Sequence, residues 1–303
     1  MGRIWNRVTG ATFGLEAHNV IGRGTHCHLR LDDPRISNEQ AALSWNNGGW
    51  HVRDLGSTNG TWLAGERLAP GVDVALGRDA ELGLGGPSLD LRLVDAGPPE
   101  PMVTCLHNGA QSFGRDGLIS IPDAVHPAAA IFRDLDGSWR LEQGDRVRLL
   151  SSGAVFEVEG DAWRFSTPTE WQPTIRTQRL RLLADSTFEF DVSKDEEQVS
   201  LTVGLAHERV RMGTQTGYYL LLTLARLRSS ELAAGLNSDD AGWVHREELM
   251  KMLRCSEQQL NVWVHRVRSR FSVTGFLDYA AVIQRRDGSG QMRVGAPRWV
   301  FSR

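Results

Sequence analysis

Two stretches near the start of the chain decide its fold: VIGRGTHCHLRLDDPRISNEQAAL (residues 20–43) and WHVRDLGSTNGTWLAGERL (residues 50–68). Apolar and polar residues alternate in HVRDL (51–55) and again in VDVALG (72–77), as in strands with one buried face. Turn-forming residues interrupt the strands at 47–49, 59–60 and 85–87. Short strands at this spacing predict a β-sandwich over residues 1–95.

The turns between these strands carry the residue types that phosphate binding needs. A phosphothreonine has about two negative charges and three acceptor oxygens, so its receptor requires a fixed cation and short neutral donors on loops. Arg23 supplies the cation and a fork of donors. Ser37 and Thr58 offer hydroxyls, Asn38 and Asn59 offer amides, and Gly60 permits the turn that presents them.

Together the two stretches resemble the forkhead-associated (FHA) family over about residues 1–95. The resemblance rests on Gly22–Arg23, on Ser37, and on the Ser-Thr-Asn-Gly-Thr turn at 57–61. It implies an all-β FHA sandwich in which Arg23, Ser37, Asn38, Thr58 and Asn59 grip a phosphothreonine peptide, with a small pocket for the threonine methyl. Gln40 departs from the family, which usually has a loop-bracing His there, but glutamine also donates and accepts hydrogen bonds. Gly22, Gln40 and Gly60 are expected to support the pocket.

Two alternatives belong beside this interpretation. Strings such as Ser-Thr-Asn-Gly are good turn formers on their own, and Arg23 is one of many surface arginines. Arg35 lies two residues before Ser37 and is expected to favour an acidic peptide residue about three positions after the phosphothreonine. The alternative for Arg35 is an ion pair with Asp32 or Asp33.

Residues 102–167 partly repeat the first domain. The breaker AGPPEP (96–101) precedes them and TPTEWQP (167–173) ends them. Phe113-Gly114-Arg115 corresponds to Ile21-Gly22-Arg23, and Trp139 corresponds to Trp50. About 17 residues are missing after Trp139, where the first copy has its Ser-Thr-Asn-Gly turn. The sequence therefore predicts a second, degenerate FHA-like β domain that acts as a spacer or docking surface.

The last part of the chain, residues 174–303, changes from strands to helices. Leu260, Val264, Val267 and Phe271 repeat at helical spacing, Ser256 and Glu257 indicate a helix start, and DGSG (287–290) indicates a hairpin. GWVHREELMKML (242–253) and LNVWVHRVRSRF (260–271) resemble the winged-helix domains of OmpR/PhoB-type response regulators. That resemblance implies a C-terminal α+β winged helix whose last helix reads DNA, and thus a multidomain fold.

One face of this last helix has the chemistry of groove reading, at roughly 100° per residue. Glutamine pairs with adenine, arginine with guanine or phosphate, and valine contacts the thymine methyl. The candidate base-reading residues are Gln258, Val262, His265, Arg266 and Ser269. Candidate phosphate contacts are Arg254, Arg268 and Arg270 beside the helix. In the wing, Arg285, Arg286 and Arg293 are expected to reach the neighbouring minor groove or the nucleic-acid backbone. The alternative is a solvated helix face on a domain that docks protein.

The charge is divided along the chain. Residues 1–173 hold 15 arginines and 22 acidic residues, whereas residues 174–303 hold 19 basic and 15 acidic residues. From residue 243 onward, 11 basic residues face 5 acidic ones, which favours a polyanionic partner. The three cysteines have no metal-ligand or disulfide spacing, and no run of apolar residues is long enough to span a membrane.

These observations predict a phosphothreonine-dependent transcriptional regulator. Its FHA domain would bind a protein phosphorylated by a Ser/Thr protein kinase, and its winged helix would bind double-stranded DNA. The alternative is a phosphopeptide-binding adaptor whose winged helix docks protein rather than DNA. We expect no enzymatic activity, cofactor, metal or membrane partner, because no Walker loop, nucleophile elbow or metal-ligand spacing is present. We expect a cytoplasmic location, and the sequence does not indicate an oligomeric state.

Overall fold

The computed structural model describes residues 1–88, 90–114, 116–169, 181–194 and 198–302. Arg115, most of the predicted breaker at 167–173, and the predicted start of the third domain at 174 lie outside the described residues. The chain divides into two compact units. Unit 1 comprises Met1–Met102 and the short segment that begins at Phe165, and unit 2 comprises Val103–Arg164 and the C-terminal region. Of the helices that the structure describes, none is long and apolar enough to cross a membrane.

Unit 1 is a sandwich of two β-sheets. Its strands are β1 (Gly2–Asn6), β2 (Thr12–Gly14), β3 (His18–Gly22), β4 (Leu29–Arg30), β5 (Ala41–Asn46), β6 (Gly49–Asp54), β7 (Thr61–Leu63), β8 (Glu66–Arg67), β9 (Val74–Leu76), β10 (Glu81–Leu84) and β11 (Leu91–Ala96). One sheet has the order β2-β1-β11-β10-β7-β8 and the other β4-β3-β5-β6-β9. This is the sandwich that the sequence predicts.

Strand β6 shows how the sequence pattern makes the sandwich. Trp50, Val52 and Asp54 are buried, while Arg53 between them is exposed. Successive side chains of a strand point to opposite faces, so the alternation places one set of residues in the core. The apolar core of the unit contains Trp50 and Val52 together with Ile4, Ile21, Leu43, Leu82 and Leu93. The rigid sheets hold the connecting loops in fixed positions.

A second pair of sheets forms the first half of unit 2. Its strands are β12 (Met102–Cys105), β13 (Gln111–Phe113), β14 (Leu118–Ile121), β15 (Ala129–Arg133), β16 (Trp139–Gln143), β17 (Arg146–Leu150), β18 (Val155–Val158) and β19 (Asp161–Ser166). The sheet orders are β13-β12-β19-β18 and β14-β15-β16-β17. We call this pair of sheets the second sandwich.

The second sandwich has the strand order of unit 1 without β4, β7 and β8. Trp50 of β6 pairs with Leu76 of β9, and Trp139 of β16 pairs with Leu150 of β17 in the same antiparallel way. Nineteen residues separate β6 from β9, but only two separate β16 from β17. The seventeen fewer residues are those that carry the Ser-Thr-Asn-Gly turn in unit 1.

The C-terminal region combines strands with three α-helices. The elements are β20 (Thr187–Val192), β21 (Val199–Leu205), β22 (Glu208–Thr214), α1 (Gly217–Ala233), β23 (Val244–His245), α2 (Arg246–Leu253), α3 (Glu257–Val273), β24 (Ile283–Arg286), β25 (Gln291–Val294) and β26 (Arg298–Ser302), with short 3-10 helices at Leu183–Asp185 and Tyr279–Val282. The sheets have the orders β22-β21-β20-β26 and β23-β25-β24. We call the β24–β25 hairpin the wing.

Helix α3 begins where a local capping signal places its start. The Ser256 side chain accepts a hydrogen bond from the Gln259 amide, and the Gln259 side chain accepts one from the Ser256 amide. This capping box satisfies two amide groups that a helix N-terminus leaves without intrahelical partners. Leu260, Val264, Val267 and Phe271 are buried along one side of the helix, as their spacing predicts.

The second sandwich and the C-terminal region share one apolar core. Phe132 of β15 belongs to the same buried cluster as Val264 and Phe271 of α3, and Leu118 and Val147 pack against this cluster. The sequence predicts separate domains at 102–167 and 174–303. In the structure the two regions form one compact unit, because apolar side chains from both complete the same core.

Candidate functional site

Three loops at one end of the unit 1 sandwich are joined by hydrogen bonds that their backbone amides donate. The amide of Arg23 donates to the Ser37 carbonyl at 2.9 Å, and the amide of Gly24 donates to the Asn38 carbonyl at 2.9 Å. The Thr58 amide donates to the Ser37 hydroxyl at 3.1 Å. The sequence-predicted residues Arg23, Ser37, Asn38 and Thr58 are therefore brought together although they lie up to 35 positions apart in the sequence.

Gly22 is required where the first two loops approach each other. A Cβ atom at this position would lie 2.2 Å from the carbonyl oxygen of Asn38. Any larger residue would push the two backbones apart and break the bonds that fix Arg23. Glycine is favoured at position 60 for a different reason, because the φ of Gly60 is +84° and residues with a side chain rarely adopt this conformation.

Gln40 braces the loops from behind, as the resemblance implies for the family's histidine. Its side chain is fully buried. The amide nitrogen donates to the Ser57 hydroxyl and to the Gly60 carbonyl, both at 2.8 Å, and lies 3.3 Å from the Thr61 hydroxyl. The amide oxygen accepts from the Ser37 amide at 2.9 Å. One side chain thus holds the Ser37 loop against the 57–61 turn.

Asp54 organises the same turn and was not among the sequence-predicted site residues. Its fully buried carboxylate accepts from the amides of Gly56 and Ser57 at 2.9 and 3.0 Å, and from the hydroxyls of Ser57 and Thr61 at 2.6 Å each. Burial opposes ionisation, but these hydrogen bonds outweigh it and hold the pKa of Asp54 below its usual range. The signal was an Asp at the end of a strand, three residues before Ser57.

The Arg23 side chain remains available for a ligand. It is exposed, and its Nε donates only a long hydrogen bond, 3.4 Å, to the Ile36 carbonyl. Within the described part of the chain Arg23 forms no ion pair. The side chain of Asn59 is engaged differently from the prediction, since its amide donates to the Arg35 carbonyl at 2.9 Å. Asn59 therefore holds the Ser37 loop, while the exposed side chain of Asn38 is presented to solvent.

Arg35 forms the ion pair that was the alternative to a peptide contact. Its guanidinium donates to the Asp33 carboxylate through Nε at 3.1 Å and through a terminal nitrogen at 2.7 Å. Both side chains are partly exposed. The hydrogen bond from Arg35 lowers the pKa of Asp33. An acidic peptide residue would have to compete with Asp33 for this guanidinium.

The candidate DNA-reading residues divide into two groups in the structure. Gln258 and Arg266 are exposed on α3, and Val262 and Ser269 are partly exposed on the same side. His265, by contrast, faces the second sandwich, with its Nδ1 2.5 Å from the Ser120 hydroxyl. Burial, followed by the nearby charges of Arg268 and Arg266, lowers the pKa of His265. His265 is therefore not presented to a partner outside the chain.

Two predicted phosphate contacts are also buried inside unit 2. Arg268 is buried and donates to the Glu142 carboxylate of β16 at 2.9 and 3.0 Å. Arg285 approaches the same carboxylate at 3.0 Å and donates to the Gly144 carbonyl. The sequence pattern predicts that Arg268 and Arg285 face outward, whereas in the structure both side chains bind the second sandwich.

The side chains of three of the other four candidate arginines, Arg270, Arg286 and Arg293, have local partners. Arg270 donates to the Met212 carbonyl at 3.2 Å, and Arg254 is the left-handed C-cap residue of α2. The guanidinium groups of Arg286 and Arg293 lie 4.6 and 4.4 Å from the ring centre of Trp243. Of these four, Arg254, Arg270 and Arg286 are exposed, so a polyanion can still reach them.

Comparison with known proteins identifies a domain within unit 1. The sequence model of the FHA domain matches residues 19–85. The FHA domain-containing protein FhaB of Mycobacterium tuberculosis (strain CDC 1551 / Oshkosh) is 39% identical over 77 residues, which are 25% of this chain and 50% of FhaB. FhaB of Mycolicibacterium smegmatis is 39% identical over 64 residues, which are 21% of this chain and 41% of that protein. The chain spans about half the length of these curated relatives or less.

Similar solved structures cover the same region. The FHA domain of the CT664 protein from Chlamydia trachomatis is 25% identical, with a TM-score of 0.28 over 31% of this chain and 96% of that chain. The N-terminal FHA domain of Rad53p from S. cerevisiae, solved in complex with a phosphothreonine peptide, is 22% identical, with a TM-score of 0.27 over 30% of this chain and 92% of that chain. From the sequence match and the sandwich described above, we conclude that residues 19–85 of this chain form an FHA domain.

Proposed function

We propose that unit 1 binds a phosphothreonine-containing segment of another protein, and that the chain is a non-enzymatic adaptor for a Ser/Thr protein kinase signal. The observation that carries this proposal is the exposed guanidinium of Arg23, without an ion-pair partner among the described residues, beside the Ser37 and Thr58 hydroxyls. A phosphate supplies the acceptor oxygens and the negative charge that this arrangement lacks.

The rigidity of the loops supports the same proposal. The side chains of Gln40 and Asp54 are buried behind the loops and form hydrogen bonds with them. A preorganised site loses little conformational entropy on binding, which raises affinity for a small charged ligand. The test is calorimetry with one peptide in three forms, carrying threonine, phosphoserine and phosphothreonine. We expect measurable binding of the phosphothreonine form alone or most tightly, and equal binding of the unphosphorylated form would contradict the proposal.

For the C-terminal region we propose a winged helix of the OmpR/PhoB type that binds double-stranded DNA, which would make the chain a phosphothreonine-dependent transcriptional regulator. The order of strands, three helices and a terminal hairpin supports this proposal. The exposed Gln258 and Arg266 on α3, and the excess of basic over acidic residues after position 243, support it further.

The DNA-binding role has a direct test. The mobility of a mixed-sequence duplex is measured with the full chain at several salt concentrations. Binding that weakens steeply with salt is expected, because contacts with phosphates release counterions. If neither the wild-type chain nor the Glu142→Ala variant, which removes the carboxylate that binds Arg268 of α3, binds the duplex, the C-terminal region docks protein and the adaptor role alone remains.

A further inference from the structure

The carboxylate of Glu142 joins the second sandwich to both α3 and the wing. Glu142 lies near the end of β16, accepts hydrogen bonds from both terminal nitrogens of Arg268 on α3, and approaches Nε of Arg285 on β24. All three side chains are buried, with exposures of 6%, 3% and 8%. Burial opposes ionisation of Glu142, but the two arginine charges outweigh it and lower its pKa. The carboxylate is therefore charged inside this contact.

Further contacts surround the carboxylate on both sides. Along α3, His265 bonds to Ser120, and the Ser272 hydroxyl donates to the Asp116 carbonyl at 2.6 Å. At the wing tip, the Val147 amide donates to the Asp287 carboxylate and the Gly288 amide donates to the Asp145 carbonyl, both at 2.9 Å. The second sandwich consequently occupies the angle between helix and wing. A duplex cannot contact both elements in this angle while the sandwich is there.

The shortened turn of the second sandwich makes this contact. Only Gly144 and Asp145 connect β16 to β17, and both offer carbonyl groups to the wing. In unit 1 the corresponding connection is the long segment that carries the 57–61 turn of the candidate phosphate site. The end of the sandwich that holds this site in unit 1 is thus used in the second sandwich to hold the wing.

We propose that the second sandwich is an intramolecular cover of the surface between α3 and the wing, with Glu142 in the place that a nucleic-acid phosphate would take. This inference rests on the proposed DNA-binding role of the C-terminal region. Arg268 and Arg285 belong to the helix and the wing, and an anion that bridges two such arginines is what a duplex backbone would provide. Opening the cover exposes both arginines next to Arg266, which is already exposed.

The experiment uses the full chain with Glu142→Ala, and Glu159→Gln as the matched control. Glu159 is an exposed acidic residue on the same sandwich, in the turn after β18. While the second sandwich covers α3 and the wing, Glu142→Ala leaves Arg268 and Arg285 buried without their anion. When the sandwich moves away, water hydrates both arginines. The substitution therefore shifts the equilibrium toward the uncovered state. Two readouts are measured: hydrogen exchange of the Val147 and Gly288 amides, which bond across the contact, and affinity for a fluorescein-labelled mixed-sequence duplex. We expect Glu142→Ala to raise both by about fivefold or more, and the control to change neither.

A second variant tests the same proposal if Glu142→Ala does not fold. The double substitution Ser272→Ala and Asp287→Ala removes the hydrogen bonds to the Asp116 carbonyl and from the Val147 amide. It leaves the buried Glu142 carboxylate and its two arginines intact. For this variant the Gly288 amide alone reports opening, because Asp287 is the acceptor for Val147. The same two increases, smaller in size, are expected.

The outcomes separate the cover from the functions on which it rests. Unchanged exchange in both variants would overturn the cover, as would a wild-type chain that already binds the duplex as tightly as the variants. Faster exchange in variants that, like the wild-type chain, bind no duplex would overturn the assignment of the covered surface to a nucleic-acid backbone. Phosphopeptide binding by unit 1 is measured on the same samples and is expected to be unchanged throughout.

Discussion

The buried side-chain amide of Gln40 donates to the carbonyl of Gly60 at 2.8 Å, and so ties the Ser37 loop to the turn that carries Thr58 and Asn59. Neither the carbonyl nor the amide group faces solvent. Gln40 therefore acts on any bound peptide only through the loops that it holds, which makes it a positioning residue rather than a contact residue.

The first prediction concerns this brace. Gln40→Ala leaves the Ser37 amide without its acceptor and removes one of two donors to the Gly60 carbonyl, which still accepts from the Gly85 amide. The variant should lower the free energy of unfolding of unit 1 by about 1–3 kcal/mol. Phosphopeptide affinity should fall as well, because the loops lose their fixed positions. Gln40→His should retain most of the binding, since an imidazole both donates and accepts. Thermal unfolding and calorimetry check both variants, and an alanine variant with wild-type affinity would contradict the brace.

The second prediction concerns the cation of the site. Arg23→Ala removes a charge-assisted contact of roughly 1.5–3 kcal/mol, so affinity for the phosphothreonine peptide should fall by about tenfold or more. Arg78→Ala is the matched control, because Arg78 is an exposed arginine of the same unit outside the three loops. Calorimetry with one peptide measures both. Equal losses in the two variants would show that the effect is general electrostatic attraction and not a phosphate contact.

The third prediction follows from the ion pair between Arg35 and Asp33. Asp33→Asn removes the charge that holds the guanidinium but keeps an oxygen for the Arg35 amide, which now donates to Asp33 at 2.8 Å. The variant should therefore select acidic residues about three positions after the phosphothreonine more strongly than the wild type does. An oriented phosphopeptide library measures the enrichment. If both proteins show the same enrichment, Arg35 takes no part in peptide selection.

Local signals in the sequence were sufficient for the FHA sandwich and for most of its site. The 57–61 turn and the alternation in β6 each act over a few residues, so their structural effect can be predicted without knowledge of the fold. Gly22 was identified through the family resemblance, because its close neighbour Asn38 lies on another loop. Asp54 was missed although its Asx-type bonds to Gly56 and Ser57 are also local. Its importance comes from burial beneath the turn, which the alternation of β6 already indicated.

Local sequence signals could not predict the contact between α3 and the second sandwich. Helical periodicity identifies the buried stripe that includes Val264 and the exposed stripe that includes Arg266. It does not identify the stripe between them, His265 and Arg268, whose partners Ser120 and Glu142 lie more than a hundred residues away in the sequence. An arginine beside a groove-reading face has the same pattern whether it binds a phosphate or a carboxylate of the same chain.

The fourth prediction concerns acid stability of unit 1. The hydrogen bonds to Asp54 hold its pKa below the value of about 3.9 expected in an unfolded chain. Asp54 therefore contributes stability that is fully present above about pH 4 and is lost as the pH falls through its folded-state pKa. Denaturant unfolding at neutral and acidic pH should show a difference between wild type and Asp54→Asn that shrinks on acidification. If the difference in unfolding free energy is the same at both pH values, the shape of the Asp54 side chain and not its charge causes the effect.

The last prediction separates two arginines that are two positions apart on α3. Arg268→Ala leaves the buried Glu142 with one partner and should lower the free energy of unfolding of unit 2 by about 3–5 kcal/mol. Arg266→Ala removes an exposed side chain and should change that free energy by less than about 0.5 kcal/mol. In the Glu142→Ala chain, Arg266→Ala should nevertheless weaken duplex binding by about 1–3 kcal/mol per lost contact and flatten its salt dependence. The matched control is Arg209→Ala, because Arg209 is an exposed arginine of β22. If Arg209→Ala and Arg266→Ala weaken duplex binding equally, α3 is not the element that reads the duplex.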